Sequence, residues 1–312
     1  MTDANADRAI LDSRSLVFVM GAARSGTTWL QELLSQSPKV VSTPETHLFD
    51  YYLGSLERTW ARYDRYQTRL PRFMDRDRYV DACRLLADRV FADLARTRPE
   101  AAIVLEKTPN HAWMWRFIDA LYPRAHLVFT IRDPRAVAAS YRAASRTWAK
   151  RWAGIGGMEV ARLWVRVAEA ARSAREERAN VQIVKYEDLL ADPEAGLAAV
   201  FAGLGHPIDA STAHDYVEAC KPEAMRQRMM ARGSQQAYVQ NFIRKARSDS
   251  WREELKPRHV ATVESVAGHL MPAFGYECVT AGRAPVPAFV DRAVDSFRWR
   301  TNRVAKRVKQ LL

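Results

Sequence analysis

The chain has 312 residues, of which 48% are hydrophobic and 27% are charged, a composition that excludes a disordered chain, a collagen-like repeat and a disulfide-stapled miniprotein. Forty-eight basic residues against 36 acidic ones give a net charge of +12. That charge predicts attraction to a polyanion, which could be nucleic acid, an anionic membrane or a phosphorylated small molecule. The length fits either two domains or one large α/β domain.

The first 15 residues are acidic and polar, unlike a signal peptide, and we interpret them as a polar N-terminal arm. The apolar stretch 16–23 is too short to span a bilayer, so we expect a soluble, cytoplasmic protein. The three cysteines form no CxxC pair, which predicts reduced thiols rather than a zinc ribbon or a disulfide framework.

Short apolar runs alternate with helical patterns along the chain. Strands are predicted at 16–20, 101–105, 126–131 and 181–186, and helices at 29–34, 112–121, 133–147 and 192–205. Asp133-Pro134 and Asp192-Pro193 each place a capping acid before a first-turn proline. This alternation predicts the α/β class, a parallel sheet flanked by helices on both faces.

Three segments stand apart from this alternation. Residues 57–100 predict a helical insertion on the sheet edge, with an apolar face at Val80, Cys83, Leu86, Val90 and Leu94. Residues 158–180 predict a long helix with Leu163, Trp164, Val167 and Ala171 on one side. Residues 287–312 predict a basic amphipathic C-terminal helix. We favour its docking on the protein itself over weak contact with an anionic membrane. The main domain is then 16–286.

The loop after the first strand, GAARSGTT at 21–28, has the features of a phosphate site. Its glycines bracket a tight turn into a helix, where backbone N–H groups and the helix dipole attract anions. A nucleotide-hydrolysing P-loop needs a lysine where this chain has Thr27, and the cation lies earlier, at Arg24. The loop therefore predicts phosphate binding and disfavours ATP or GTP hydrolysis.

A second anion-binding segment follows the strand at 126–131. Arg132 stands at the carboxyl end of that strand, where open α/β sheets bind ligands, and Ser140 lies about two helical turns further on. Alone, such an arginine is as often a structural ion-pair partner. Together with the loop at 21–28, it suggests a site for a second phosphate.

GAARSGTTW at 21–29 and LVFTIRDPRAVAASY at 127–141 resemble the sulfotransferases that use 3′-phosphoadenosine 5′-phosphosulfate (PAPS). FIRKARSDSWR at 242–252 is similar to that family's segment around the 3′-phosphate, with Ala246 in place of its glycine, and KYEDL at 185–189 is similar to its adenine-contacting segment. The resemblance implies a P-loop-like sulfotransferase fold, PAPS as donor, 3′,5′-diphosphoadenosine (PAP) as product, and no metal.

The resemblance also implies roles for individual residues. The 5′-phosphosulfate is expected at Arg24, Ser25, Gly26, Thr27 and Thr28. Adenine is expected at Trp29, for which core packing is the alternative, and at Tyr186. The 3′-phosphate is expected at Arg132, Ser140, Arg244 and Lys245. Cations and an aromatic face suit these partners chemically.

The resemblance offers more than one candidate for the general base. One branch of the family has a histidine after Lys-Thr, where this chain has Pro109. Pro44-Glu45 and the EKTP segment at 106–109 resemble the branch acting on carbohydrate and protein tyrosine, which uses a glutamate. We therefore assign Glu45 as base and Lys107, with Arg24, as the catalytic cations; His47 and His111 stay open as alternative bases. The seven histidines show no metal-ligand spacing.

The expected activity is transfer of sulfuryl from PAPS to a hydroxyl or amine. One rival is a P-loop kinase of a small molecule; a less favoured one is a nucleic-acid-binding protein, whose basic residues would not be interleaved with acids as they are here. The acceptor is expected to be a small molecule, sugar or lipid in a pocket shaped by 57–100 and about 148–159. The sequence does not identify it, nor the oligomeric state.

Overall fold

The fold is built on a five-stranded parallel sheet. A computed structural model gives the structure of residues 2–231, 239 and 247–280. The strands pair in the order β2-β3-β1-β4-β5, every pair parallel. They are β1 (Ser15–Gly21), β2 (Val40–Ser42), β3 (Ile103–Lys107), β4 (His126–Ile131) and β5 (Val181–Lys185).

The central strand β1 shows why helices flank the sheet on both sides. Its residues 17–20 are at most 1% exposed, so alternate side chains are buried on opposite faces. The register pairs Val19 with Lys107, Gly21 with Thr130 and Ile131 with Lys185. Because the strands are parallel, the segments that follow them meet at one edge of the sheet.

The α-helices of the described residues surround this frame. In chain order they are α1 (Thr2–Asp12), α2 (Thr27–Leu34), α3 (Leu53–Tyr63), α4 (Arg76–Arg96), α5 (Trp115–Leu121), α6 (Pro134–Arg146), α7 (Gly157–Glu177), α8 (Tyr186–Ala191), α9 (Pro193–Gly203), α10 (Ala210–Ala219), α11 (Pro222–Ala231), α12 (Trp251–Glu254) and α13 (Pro257–Ala267). A π-helical turn spans Leu48–Tyr52, and 3₁₀ turns include Pro109–Met114 and Met271–Phe274. Within the part of the chain that the structure describes, no helix combines the length and apolar character needed to cross a membrane.

The chain divides into two compact units. Unit 1 comprises Met1–Arg132 and Val167–Arg228 and holds the whole sheet; α1 packs on α4, and α2 packs with α9 and α10. Unit 2 comprises Asp133–Arg166 and the residues from Met229 onward. In unit 2, α6 packs against α12 and α13, and Trp164 makes edge contacts with Phe274 and Tyr276.

The predicted parallel α/β architecture is confirmed, and so are both predicted helix starts. The Asp133 carboxylate accepts from the Arg135 N–H at 2.8 Å, and the Asp192 carboxylate accepts from the Ala195 N–H at 3.0 Å. The predicted helix at 112–121 is instead a 3₁₀ turn followed by α5, because Pro109 favours a separate turn start. Helix α8 was not predicted.

The insertion is helical, but its buried face differs from the predicted one. Leu86 is 48% exposed, and the buried row of α4 is Tyr79, Cys83, Ala87, Phe91 and Ala95. The small alanines let α4 approach its neighbours closely, which a search for large apolar residues overlooks. The domain boundaries at 16, 57–100 and 286 stay predictions, and the tail 287–312 lies outside the described residues.

The segment interpreted as a polar arm contains α1, which docks on α4. Asp7 is buried and pairs with Arg89 at 3.0 Å and Arg96 at 2.5 Å, while Leu11 is 5% exposed. A buried carboxylate paired by two arginines is how a polar segment can join the fold.

Candidate active site

The phosphate-loop residues 21–28 follow β1 and lie in unit 1. Gly26 has φ +97°, and a Cβ there would come within 2.5 Å of the Tyr186 ring, so only glycine fits. The Ser25 hydroxyl lies 2.6 Å from the Ala22 carbonyl and 2.7 Å from Thr130 Oγ1, and the Ser25 N–H donates to the same carbonyl. Ser25 therefore fixes the shape of the loop from inside.

Helix α2 begins at the end of this loop with its first turn open to an anion. Its N-cap, Gly26, makes no side-chain capping bond, and the first turn contains no acidic residue. The first N–H groups of a helix have no intrahelical partner, and the helix dipole adds positive potential. The start of α2 can thus hold a phosphate-like group.

Lys107, the last residue of β3, connects the loop to the segment after β2. Its ammonium donates to Glu45 Oε1 at 2.6 Å and to Thr28 Oγ1 at 3.3 Å. The side chain of Lys107 is 5% exposed, whereas that of Glu45 is 37% exposed. A buried cation thus lies beside the loop, with a solvent-accessible carboxylate next to it.

An arginine and two aromatic rings occupy the other side of the loop. The Arg132 guanidinium, just after β4, donates to the Arg24 carbonyl at 3.2 Å and lies 4.3 Å from the centre of the Tyr186 ring. Trp29 meets Tyr186 edge to face at 5.8 Å. Burial raises the pKa of Tyr186 although Arg132 opposes this, so its hydroxyl stays protonated at neutral pH.

The segment carrying Glu45 is anchored by a buried carboxylate, Glu106. Glu106 Oε1 accepts from the Thr46 N–H (3.2 Å), the Thr46 hydroxyl (2.8 Å) and the Thr108 hydroxyl (2.6 Å). Burial acts to raise the pKa of Glu106, but His111 and these hydroxyl donors outweigh it and lower the pKa. The His47 N–H continues the pattern by donating to Thr108 Oγ1 at 3.3 Å.

Two histidines flank this segment in different surroundings. His111 is fully buried, its Nδ1 lies 2.9 Å from Glu106 Oε2, and its Nε2 accepts from the Phe49 N–H at 3.1 Å. The side chain of His47 is 30% exposed, with Nδ1 3.0 Å from Asp50 Oδ2 and Nε2 3.4 Å from Glu45 Oε2. His47 is therefore next to Glu45, whereas the contacts of His111 are with the buried residues Glu106 and Phe49.

These features match a known family. A sequence model described as the sulfotransferase family matches residues 16–210, more than half of the chain. The chain belongs to the sulfotransferase family. The matched range includes the phosphate loop, Glu45, Lys107, Arg132 and Tyr186.

Individual relatives agree with the family. Nodulation protein NoeE of Sinorhizobium fredii (strain NBRC 101917 / NGR234) is 27% identical over 290 residues, covering 84% of this chain and 66% of NoeE. Protein-tyrosine sulfotransferase 2 of Gallus gallus is 24% identical over 198 residues, covering 61% of this chain and 51% of the relative. The chain thus spans between half and two thirds of the lengths of these relatives.

A solved structure shares the fold. Mouse sulfotransferase SULT7A1 complexed with PAP superposes with a TM-score of 0.54 at 13% identity, covering 85% of this chain and 88% of the mouse chain. At this identity the similarity establishes the sulfotransferase fold and nothing finer.

Three predicted site residues of this sulfotransferase are not among the contacts described above. Ser140 is buried on α6 in unit 2. Arg244 and Lys245 lie outside the described residues. Within 2–231, 239 and 247–280, no group of three or more His, Cys, Asp or Glu side chains is arranged to hold a metal ion.

Sequence reasoning missed the buried residues that hold the candidate site residues and their neighbours in place. Thr130 contacts Ser25, Glu106 holds Thr46, and Asp50 holds His47. Glu106 adjoins Lys107 at the end of an apolar strand, and an acid in that position could have been recognised as buried. Nothing in the sequence separates Asp50 from a surface aspartate.

Proposed function

We propose that this sulfotransferase transfers a sulfuryl group from PAPS to a hydroxyl or amine of an acceptor, with Glu45 as general base. The observation that carries the proposal is the position of Lys107, whose ammonium contacts both Thr28 of the phosphate loop and Glu45. A proton acceptor and a cation therefore adjoin the place where a phosphosulfate would bind.

The residues present fit such a donor. The open first turn of α2, formed by Gly26, Thr27 and Thr28, offers N–H groups to the phosphosulfate, while Ser25 keeps the loop in shape. PAPS supplies the sulfuryl group when bound. Trp29 and Tyr186 offer aromatic faces to the adenine. The PAP bound to the mouse sulfotransferase supports this donor class.

A 3′-phosphate distinguishes this donor from ATP. Arg132, held over Tyr186 beside the loop, supplies a permanent charge for it. Ser140, Arg244 and Lys245 are proposed for the same phosphate from the sequence resemblance. Thr27 stands where a P-loop kinase has its lysine, which argues against the kinase alternative.

The chemical step divides between Glu45 and the cations. An acceptor oxygen forms a bond to sulfur while the bond from sulfur to the phosphate oxygen breaks, and PAP leaves. Glu45 takes the acceptor proton at a carboxylate oxygen. Lys107 and Arg24 offer positive charge to the leaving phosphate, which gains negative charge as the bond breaks.

Exposure favours Glu45 over the two histidines as the base. His111 is fully buried, and its Nε2 already accepts a backbone hydrogen bond. His47 is accessible, but Glu45 lies between it and Lys107. Of these three groups, Glu45 is the one that shares the Lys107 ammonium with Thr28 of the phosphate loop.

The acceptor class stays open among small molecules, sugars and lipids. The name of the Gallus gallus relative adds a protein tyrosine to these candidates. Tyr51 and Tyr52, which are 60% and 65% exposed, follow closely after Glu45 and offer an aromatic surface near the base. Aromatic faces suit the apolar face of a sugar, a lipid or a phenol alike.

The experiment is an acceptor screen with sulfur-labelled PAPS, in which product masses identify the sulfated compound. We expect one labelled product and an equal amount of PAP. Lys107→Met should lose most of this turnover. Lys221→Met, which removes an exposed lysine paired with Glu218, should not. Consumption of ATP in the presence of magnesium, with no use of PAPS, would instead support a kinase.

A further inference from the structure

His47 adopts a conformation that local sequence preferences do not explain. Its φ is +52°, in the left-handed region that non-glycine residues seldom occupy, and it immediately precedes the π-helical turn Leu48–Tyr52. Such conformations persist where surrounding contacts enforce them and are frequent at functional sites. The backbone here is fixed on both sides, because the N–H groups of His47 and Phe49 donate to Thr108 and His111.

Asp50 sets the orientation of the His47 ring. Its carboxylate oxygens lie 3.2 and 3.0 Å from His47 Nδ1, and Asn110 Nδ2 donates to it at 3.2 Å. Burial acts to raise the pKa of Asp50, but the contacts with His111 and His47 lower it overall, so this carboxylate is ionised at neutral pH. An ionised acceptor at Nδ1 favours the tautomer with its proton on Nδ1, in which Nε2 can accept a proton.

The other ring nitrogen, Nε2, faces the proposed base. Nε2 lies 3.4 Å from Glu45 Oε2, while the other oxygen, Oε1, accepts from Lys107. Tyr51 stacks on the imidazole, with the ring centres 4.6 Å apart and the ring planes at 12° to each other, and this contact holds the orientation of the imidazole. Glu45 thus has a cation on one oxygen and an imidazole nitrogen beside the other.

We propose that His47 is the positioning residue and proton relay of Glu45: it receives at Nε2 the proton that Glu45 takes from the acceptor, while Asp50 holds Nδ1–H. The inference rests on the proposed function. The relay returns Glu45 to a carboxylate and turns His47 into an imidazolium between two carboxylates. The imidazolium then loses that proton to solvent, which its 30% side-chain exposure allows.

The first test needs no turnover. Nitrogen NMR of the histidine rings in the full-length protein, assigned with His47→Gln, reports the tautomer directly. We expect the Nδ1–H tautomer in the wild type, and its loss in Asp50→Asn. An Nε2–H tautomer would overturn the proposal whether or not the protein is active, because Nε2 could not then accept a proton from Glu45.

The second test uses water as the acceptor, with conversion of PAPS to PAP and sulfate as the readout. His47→Ala should slow PAP formation by at least about tenfold, because positioned proton-transfer groups contribute about 10²–10⁴-fold and Glu45 is still present. The thermal shift by PAP should be unchanged. Added imidazole should restore the rate in His47→Ala and fail to do so in Glu45→Gln/His47→Ala. His214→Ala removes a matched, exposed histidine–carboxylate pair with Glu194 and should change nothing.

The outcomes separate the two proposals. A wild type that neither binds PAP nor forms it from PAPS contradicts the proposed function. Normal PAP formation by His47→Ala, or a slow rate that imidazole does not raise, contradicts the relay while leaving the proposed function in place.

Discussion

Two groups of buried charged side chains, one in each unit, resemble one another in burial and differ in what they connect to. The Glu106 cluster of unit 1 consists of Asp50, Glu106 and His111, and the Arg135 cluster of unit 2 consists of Asp133, Arg135 and Glu264. Every member of both is at most 6% exposed. Burial of charge is costly unless each group is paired, so both clusters need an explanation.

The Arg135 cluster is centred on a guanidinium. Arg135 donates to Asp133 at 2.7 Å and to Glu264 at 2.7 Å, and it lies 4.0 Å from the centre of the Trp251 ring. Glu264 also accepts from the Val279 N–H at 3.0 Å. These partners join four segments of unit 2, and a permanent guanidinium charge pairs with both carboxylates. Its role is to hold α6 and α13 together.

The Glu106 cluster is open toward the site. Its partners are hydroxyls and imidazoles, which can rearrange their protons, and it continues through Asp50 and His47 to the accessible carboxylate of Glu45. The comparison teaches that buried charge alone does not indicate a site. What distinguishes the candidate site is a continuous set of contacts from the buried charge to an accessible carboxylate.

The largest expected effect comes from changing Glu45, the accessible end of the contacts that start at the Glu106 cluster. Glu45→Gln keeps the size and hydrogen bonding of the side chain but cannot take a proton, so turnover of PAPS should fall about 10²–10⁴-fold. PAP affinity and the unfolding midpoint should hardly change. The matched control is Glu100→Gln, whose side chain is 70% exposed. Equal turnover in both variants would remove Glu45 from its role.

The next largest effect is on stability and comes from the Arg135 cluster. Arg135→Ala leaves the carboxylates of Asp133 and Glu264 buried without their cation, which should lower the free energy of unfolding by about 3–5 kcal/mol. Arg172→Ala, which breaks an exposed pair with Glu176, should change it by no more than about 1 kcal/mol. Denaturant unfolding measures both. A small loss in Arg135→Ala would mean that the cluster relaxes or admits water.

Acid unfolding distinguishes a buried carboxylate with a lowered pKa from an exposed one. The pKa of Glu106 is lowered in the fold, so its stabilising contribution is complete above the ordinary value of 4.5 and is lost as pH falls through the folded-state pKa. One extra proton bound on unfolding makes stability fall by about 1.4 kcal/mol per pH unit in that range. Glu106→Gln should flatten this slope, while Glu176→Gln, on the surface, should not. An unchanged slope in Glu106→Gln would contradict the lowered pKa.

The sequence predicted the frame of the fold well because its determinants are local. Apolar runs predicted β1, β3, β4 and β5, whereas the three-residue strand β2 was not among the predicted strands. Asp-Pro pairs predicted the starts of α6 and α9. Phosphate binding by the loop at 21–28 stays a prediction. Helix α8 was missed because six residues are too few to show helical periodicity. The buried face of α4 was misjudged because Ala87 and Ala95, rather than larger residues, pack closely.

Residues of the candidate site could be proposed from the sequence only where a single residue carries its own chemistry. Lys107 and Arg132 could be chosen by motif and by their place at strand ends. The Glu106 cluster could not, since its contacts join residues about 60 positions apart, such as Thr46 with Glu106 and Phe49 with His111. Only the sheet register brings these segments together.

The most direct test of the sulfotransferase site compares ligands by thermal shift in the full-length protein. We predict a strong, magnesium-independent stabilisation by PAP, which at 100 times its dissociation constant reaches about 2.7 kcal/mol. ADP and AMP, which lack the 3′-phosphate, should stabilise the protein little at equal concentration. Arg132→Ala should remove most of the preference for PAP. A larger shift with ATP and magnesium than with PAP would contradict the sulfotransferase site and favour a kinase.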